Sequence, residues 1–430
     1  MGLHEADLTH DAFIAAARVA TRRAGPARRV ARGGLAVLRL IDGIVPGARL
    51  SGAIAGAGRT PTPAELRAAH RMVAAVDSRS LRAPLAAILD DVTAPTHRLM
   101  PLLLAFGQVL VEERYWLLAA DVYRTAIGIA SSRDDFSLVP GAYNQLGDCL
   151  RKHGEFDGAL AAYRTGRAVA AAVGDAAAGL RFQVAEANVS RQRGDLQRAE
   201  LVLTEVIAEA ERLGLDSVRT AATHDLGAAH YERGQLDVAA QCFFEAWTQY
   251  SDPMRRDRVL GDLARTLADL GLRDAARDAL LVISVTAVET EMRQFALVHL
   301  LDLAALDGET AAFDHYQREL DLQQLPARLD VLCAIVIGEG CLRFGRPAQA
   351  GTAFARASRL VARLDAPDLT RRAAAGARAV RTGTRLARTP SRRRDGADLT
   401  PVTSMLKVMR GNTGCQSFPT SSSISSDSAR

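Results

Sequence analysis

The chain has 430 residues, only 5% of them aromatic, and it is rich in alanine and leucine, a composition that suits a long helical array better than an aromatic-cored enzyme. Residues 1–98 carry 14 basic and 8 acidic side chains, residues 371–430 carry 12 and 3, and residues 99–370 carry 28 and 38, so the net +5 comes from the ends and excludes a uniformly basic nucleic-acid-binding body. Cys149, Cys242, Cys333, Cys341 and Cys415 are scattered with no CxxC pair, which excludes a disulfide framework or zinc module and points to a reducing, cytoplasmic compartment.

Residues 1–98 are expected to be helical, as a cap or a divergent first repeat. The segment THDAFIAAARVATRRA is amphipathic, with Thr9 or Asp11 near its start. Residues 31–60, rich in glycine and containing Pro46, are expected to form a loop or hinge. Arg39, Asp42 and Arg49 interrupt the apolar stretch 33–58, so no membrane span is expected. In PTPAELRAAHRMVAAV, Thr62 is a helix N-cap, Pro63 occupies the first helical position and Glu65 completes a capping box. LRAPLAAILDDV supplies a short partner helix.

From residue 99 the chain repeats itself. Gly107, Gly147, Ala187 and Gly227 are 40 residues apart; Ala264, Leu301 and Gly338 follow at intervals of 37. These mark seven copies of one unit over residues 99–358. In the second copy Tyr143, Leu146, Gly147 and Leu150 share a helical face, Gly154 ends that helix, and Ala159, Tyr163 and Gly166 share a face of the next. A small residue lets two antiparallel helices approach, and large apolar residues fill the space beside it. Leu301 takes the small position in the sixth copy, which predicts a wider crossing there. Gly154, Gly194, Gly234, Gly271, Gly308 and Gly345 sit where each first helix should end in a left-handed residue. Glu155, Asp195, Gln235 and Glu309 then favour the start of the second helix.

With these spaced residues the segment resembles the tetratricopeptide repeat family in its longer bacterial form. The resemblance implies an all-α, right-handed superhelical solenoid of antiparallel helix pairs, whose concave groove holds a peptide or partner helix. Residues 359–384 are expected to form a capping helix, and residues 385–430 a disordered basic and serine-rich tail.

No phosphate-binding GxxxxGK[ST] or GxGxxG, no GxSxG elbow and no HExxH occurs, so no enzyme activity and no cofactor are expected. Cys333 and Cys341 share a helical face without histidine or aspartate at ligand spacing, and read as buried thiols. The chemistry then falls to polar side chains beside the packing stripe of each first helix. Those are Asn144, Asp148 and Arg151; Arg181, Asn188 and Arg191; His224, Asp225 and Tyr231; and Asp262 and Arg265. An amide both donates to and accepts from a peptide backbone, which singles out Asn144 and Asn188. Family members that grip a terminal carboxylate use a lysine and asparagine clamp. Lys152 and Lys407 are the only lysines here, so arginine must substitute. The expected function is a non-catalytic scaffold for a protein or peptide partner, with nucleic acid not expected. The alternative is a peptide-sensing regulator whose basic N-terminal region contacts DNA.

Overall fold

The computed structural model of the chain describes residues 10–18, 25–44, 60–130, 133–362, 364, 366–384 and 398–413. These form 20 α-helices and, among the described residues, no strand. Four N-terminal helices come first: α1 (Asp11–Arg18), α2 (Gly25–Ile44), α3 (Pro63–Ala74) and α4 (Arg79–Asp90). Three helix pairs follow as α5 (Thr96–Glu112) with α6 (Trp116–Ile129), α7 (Arg133–His153) with α8 (Phe156–Val173), and α9 (Ala176–Gln192) with α10 (Leu196–Arg212). Four more are α11 (Asp216–Arg233) with α12 (Leu236–Gln249), α13 (Pro253–Asp269) with α14 (Arg273–Thr286), α15 (Thr290–Asp307) with α16 (Thr310–Asp321), and α17 (Ala327–Arg343) with α18 (Pro347–Val361). The chain ends in α19 (Pro367–Thr382) and α20 (Thr400–Asn412).

Each pair is one copy of the repeat, and four of the seven are closed by an aromatic ring against a glycine. A Cβ on Gly147 would lie 2.2 Å from Tyr163 Cε1 on the partner helix. The ring, sixteen residues on, fills the space a side chain would need. The same relation joins Gly107 to Tyr123, Gly227 to Phe243 and Gly338 to Phe354. The sixth copy lacks this contact: Leu301 is fully buried on the first helix, and half-buried Gln317 stands at the ring position of the second.

The turn between the helices is equally repetitive. At Gly154, φ is 92°. Its N–H donates to the Arg151 carbonyl and the Glu155 N–H to the Leu150 carbonyl, which satisfies the last carbonyls of α7. Gly194, Gly234, Gly271, Gly308 and Gly345 share the positive φ, and Arg114 takes it (φ 63°) where the first copy lacks glycine. Asp195 caps α10 by accepting from Arg198 N–H, whereas Glu155, Gln235 and Glu309 stand at the cap position without a side-chain cap bond.

The termini correct two expectations. Residues 31–44 are not loop: α2 runs through them, because Gly33 and Gly34 are packing positions. A Cβ on Gly34 would lie 2.3 Å from Phe13. Residues 45–59 lie outside the described residues. The Thr62–Glu65 capping box forms as expected. The tail expected to be disordered from residue 385 contains α20, whose Val402 and Leu406 are buried and which packs on α14. The arginine run 392–394 lies outside the described residues.

The chain divides into two compact units, Met1–Val218 and Arg219–Arg430. In the first, α5, α7 and α9 lie side by side; in the second, α13, α15, α17 and α19 do so. Second helices of neighbouring pairs do not approach one another comparably. Each stack therefore closes more tightly on its first-helix side, which is the side that carries the candidate residues. No described helix is long and apolar enough to cross a membrane.

Candidate functional site

In the first unit the candidate residues are already partly engaged. The Tyr163 hydroxyl, delivered by the ring under Gly147, donates to Asp148 Oδ1 at 2.8 Å, and Arg151 Nη2 donates to the same oxygen at 3.1 Å. Burial and the Asp148 charge hold the phenol above its ordinary range, so it stays a donor. Asp148 and Arg151 thus satisfy a buried hydroxyl before they can meet a ligand. Asn144 is half-buried one turn away on the same helix. Asn188 Oδ1 accepts from Arg191 Nε at 3.2 Å, while exposed Arg181 lies 3.9 Å from Asp175.

The second unit brings its candidates into one connected row. His224 Nε2 pairs with Asp262 Oδ2 at 3.1 Å, and its ring stands edge-on to Phe243 and Tyr250. Asp262 Oδ1 accepts from Arg265 at 2.9 Å. The Arg265 guanidinium lies 4.7 Å from the centre of the Tyr231 ring, and the Tyr231 hydroxyl donates to Asp269 at 2.6 Å. Asp225 is half-buried beside this row and acts on Tyr250 through its charge.

The row continues through residues that sequence reasoning did not select. Arg372 on α19 bonds both oxygens of Glu339 on α17 at 2.8 Å and lies 3.9 Å from Asp302 on α15. Burial alone would lower the Arg372 guanidinium, but the Glu339 bonds hold it above its ordinary range. Burial raises the Asp302 carboxyl, Arg372 opposes the shift and Glu339 adds to it. Burial, with Arg265 and Arg372 nearby, pushes the His299 imidazole down to about 4. The signal was available: Asp148, Asn188, Arg265, Asp302 and Glu339 each directly follow the small-residue position of their copy. Extending that register by two copies would have found the last two.

Burial pushes the Cys149 and Cys333 thiols up to about 12, so both are protonated and unreactive at neutral pH. Cys341 is raised as well, and its thiol faces Gln349. Among the described residues no cluster of three or more His, Cys, Asp or Glu is placed to hold a metal.

No protein-family model and no curated protein sequence matches the chain. Similar solved structures include a Rap protein complexed with competence and sporulation factor, 13% identical over 81% of this chain and 99% of that one, with a TM-score of 0.45. The Rap conjugation gene regulator of plasmid pLS20, in complex with the Phr* peptide, is 13% identical over 76% and 96%, with a TM-score of 0.44. BtubC (BKLC) from P. vanneervenii is 20% identical over 49% and 87%, with a TM-score of 0.37. The assignment as an all-α repeat array of helix pairs rests on the repeated contacts within this chain.

Proposed function

We propose that the chain is a non-catalytic scaffold that holds an extended peptide or a partner helix on the first-helix face of its second unit. One observation carries the reading. Helices α13, α15, α17 and α19, which lie side by side, present a row of ionic side chains that runs from exposed Arg265 and Asp269 to half-buried Asp302 and Arg372 and buried Glu339. A row running across helix axes offers donors and acceptors at regular intervals, which is what an extended backbone requires. Four carboxylates (Asp262, Asp269, Asp302, Glu339) are interspersed with Arg265, Arg343 and Arg372, so the expected ligand carries both signs of charge.

The test is peptide display selection on the full chain, repeated with Arg265→Glu. Arg265 is exposed enough for the reversal to leave folding intact. Selected peptides should bind the variant about tenfold or more weakly, the loss of one charge-assisted contact, while the melting temperature falls by no more than a few degrees, the effect of losing the exposed pair with Asp262. A selection that enriches nothing, or peptides indifferent to the reversal, would sink the reading.

A further inference from the structure

We propose that the cleft between α2 and α3 in the first unit is a binding site for a phosphate monoester. It is a different site from the charged row, and neither depends on the other. Arg29 and Arg32 of α2 and Arg71 of α3 line an open cavity of about 230 Å³, completed by Ala68, Met72 and Ala75. The two helices are held together at the adjacent Gly33, where a Cβ would meet the Met72 carbonyl oxygen at 3.3 Å and Val76 Cγ2 at 3.1 Å. That close approach fixes the spacing of the two arginine-bearing walls.

The charges are unbalanced in a way that selects the ligand. Arg29 is paired with Asp77, but Arg32 and Arg71 have no acidic partner among the described residues. Three guanidinium groups against one carboxylate leave two positive charges in one small cleft. Like charges lining one cleft repel, and an oxyanion between them removes the repulsion while accepting several N–H bonds from planar forks. A phosphate monoester carries roughly two negative charges at neutral pH, matching the excess, whereas a carboxylate or a phosphodiester carries about one. Ala68, Met72 and Ala75 give the wall beside the arginines an apolar surface for the body of the ester. The cleft is concave and local, and so suits one phosphate group better than the spaced phosphates of a duplex.

Titration calorimetry on the full chain tests this with inorganic phosphate, adenosine monophosphate, adenosine, a short duplex DNA and a glutamate-rich peptide. Inorganic phosphate and the monophosphate should bind at a single site, the monophosphate more tightly, and adenosine should not bind. Arg32→Gln with Arg71→Gln should weaken both by about tenfold or more. Both side chains are exposed, so the variant should fold. Phosphate should raise the melting temperature of the wild type and not of the variant. Without phosphate the variant should melt at or above the wild type, because its like charges are gone. Absence of saturable phosphate binding, equal binding by the variant, or a variant that melts lower without ligand would each overturn the site. Capture of duplex DNA or of the acidic peptide in place of the monophosphate would overturn it in favour of an extended basic surface.

Discussion

Arg114 holds a backbone conformation that six other copies give to glycine, and its side chain must tolerate φ of 63°. Left-handed geometry costs a residue with a Cβ roughly 1 kcal/mol relative to glycine. Arg114→Gly should therefore stabilise the first unit by a few tenths of a kcal/mol, because the greater unfolded-state entropy of glycine offsets roughly 0.4–1 kcal/mol of that relief, and urea unfolding measures it. No change, or a loss, would mean that the Arg114 side chain contributes more than its backbone costs. His299 makes a second residue-scale case. Its folded value of about 4 lies below the ordinary 6.5, so the unfolded chain binds the extra proton between those values. Stability is full above pH 6.5 and is lost as pH falls toward 4, by on the order of 2 kcal/mol between pH 7 and 5. His299→Gln should flatten that part of the stability profile of the second unit; an unchanged slope would place the titration elsewhere.

At the scale of elements, the repeat was legible because close packing leaves a small residue, a turn glycine and a ring at fixed spacing. Gly147, Gly154 and Tyr163 are visible in the sequence for the same reason that they pack. Two elements were hidden because their local signals oppose their tertiary role. Gly33 and Gly34 lower helix propensity in α2, yet they are the residues that let it touch α3 and Phe13. In α20 two buried residues one turn apart, Val402 and Leu406, sit in a serine- and threonine-rich surround, and composition alone conceals them. The candidate site was half legible: its register could be read, but the prior engagement of Asp148 by Tyr163 could not. How α20 is held makes a prediction. Arg410 pairs at 2.7 Å with the buried Asp278 of α14, and burial raises that carboxyl. Breaking a buried pair costs about 3–5 kcal/mol if the remaining charge stays buried. Here it can escape, because an undocked α20 would let water reach Asp278, so the loss cannot exceed the docking free energy. Arg410→Ala, Leu406→Asp and truncation after Thr384 should all destabilise the second unit by the same amount, and the double variant by no more. Additive losses in urea unfolding would show that α20 stays docked through both changes.

At the scale of the molecule, stability is distributed over two cores. One runs from Phe13 to Val189 and the other from Leu236 to Leu406, and they share no residue. In a stacked array each pair contributes its own term and a nearest-neighbour term, so separate cores melt separately unless their coupling exceeds the difference in their stabilities. Gly147→Leu supplies the perturbation. A leucine cannot enter a space where even a Cβ would lie 2.2 Å from Tyr163, and overpacking of this kind costs about 1–3 kcal/mol or more. The two tryptophans report the halves independently: Trp116 starts α6 in the first unit, and Trp247 lies buried on α12 in the second. In urea the wild type should show two transitions, visible when Trp116→Phe and Trp247→Phe chains are followed by fluorescence. Gly147→Leu should move the transition seen through Trp116 to lower urea and leave the one seen through Trp247 in place. A common shift of both signals would mean that the cores unfold as one.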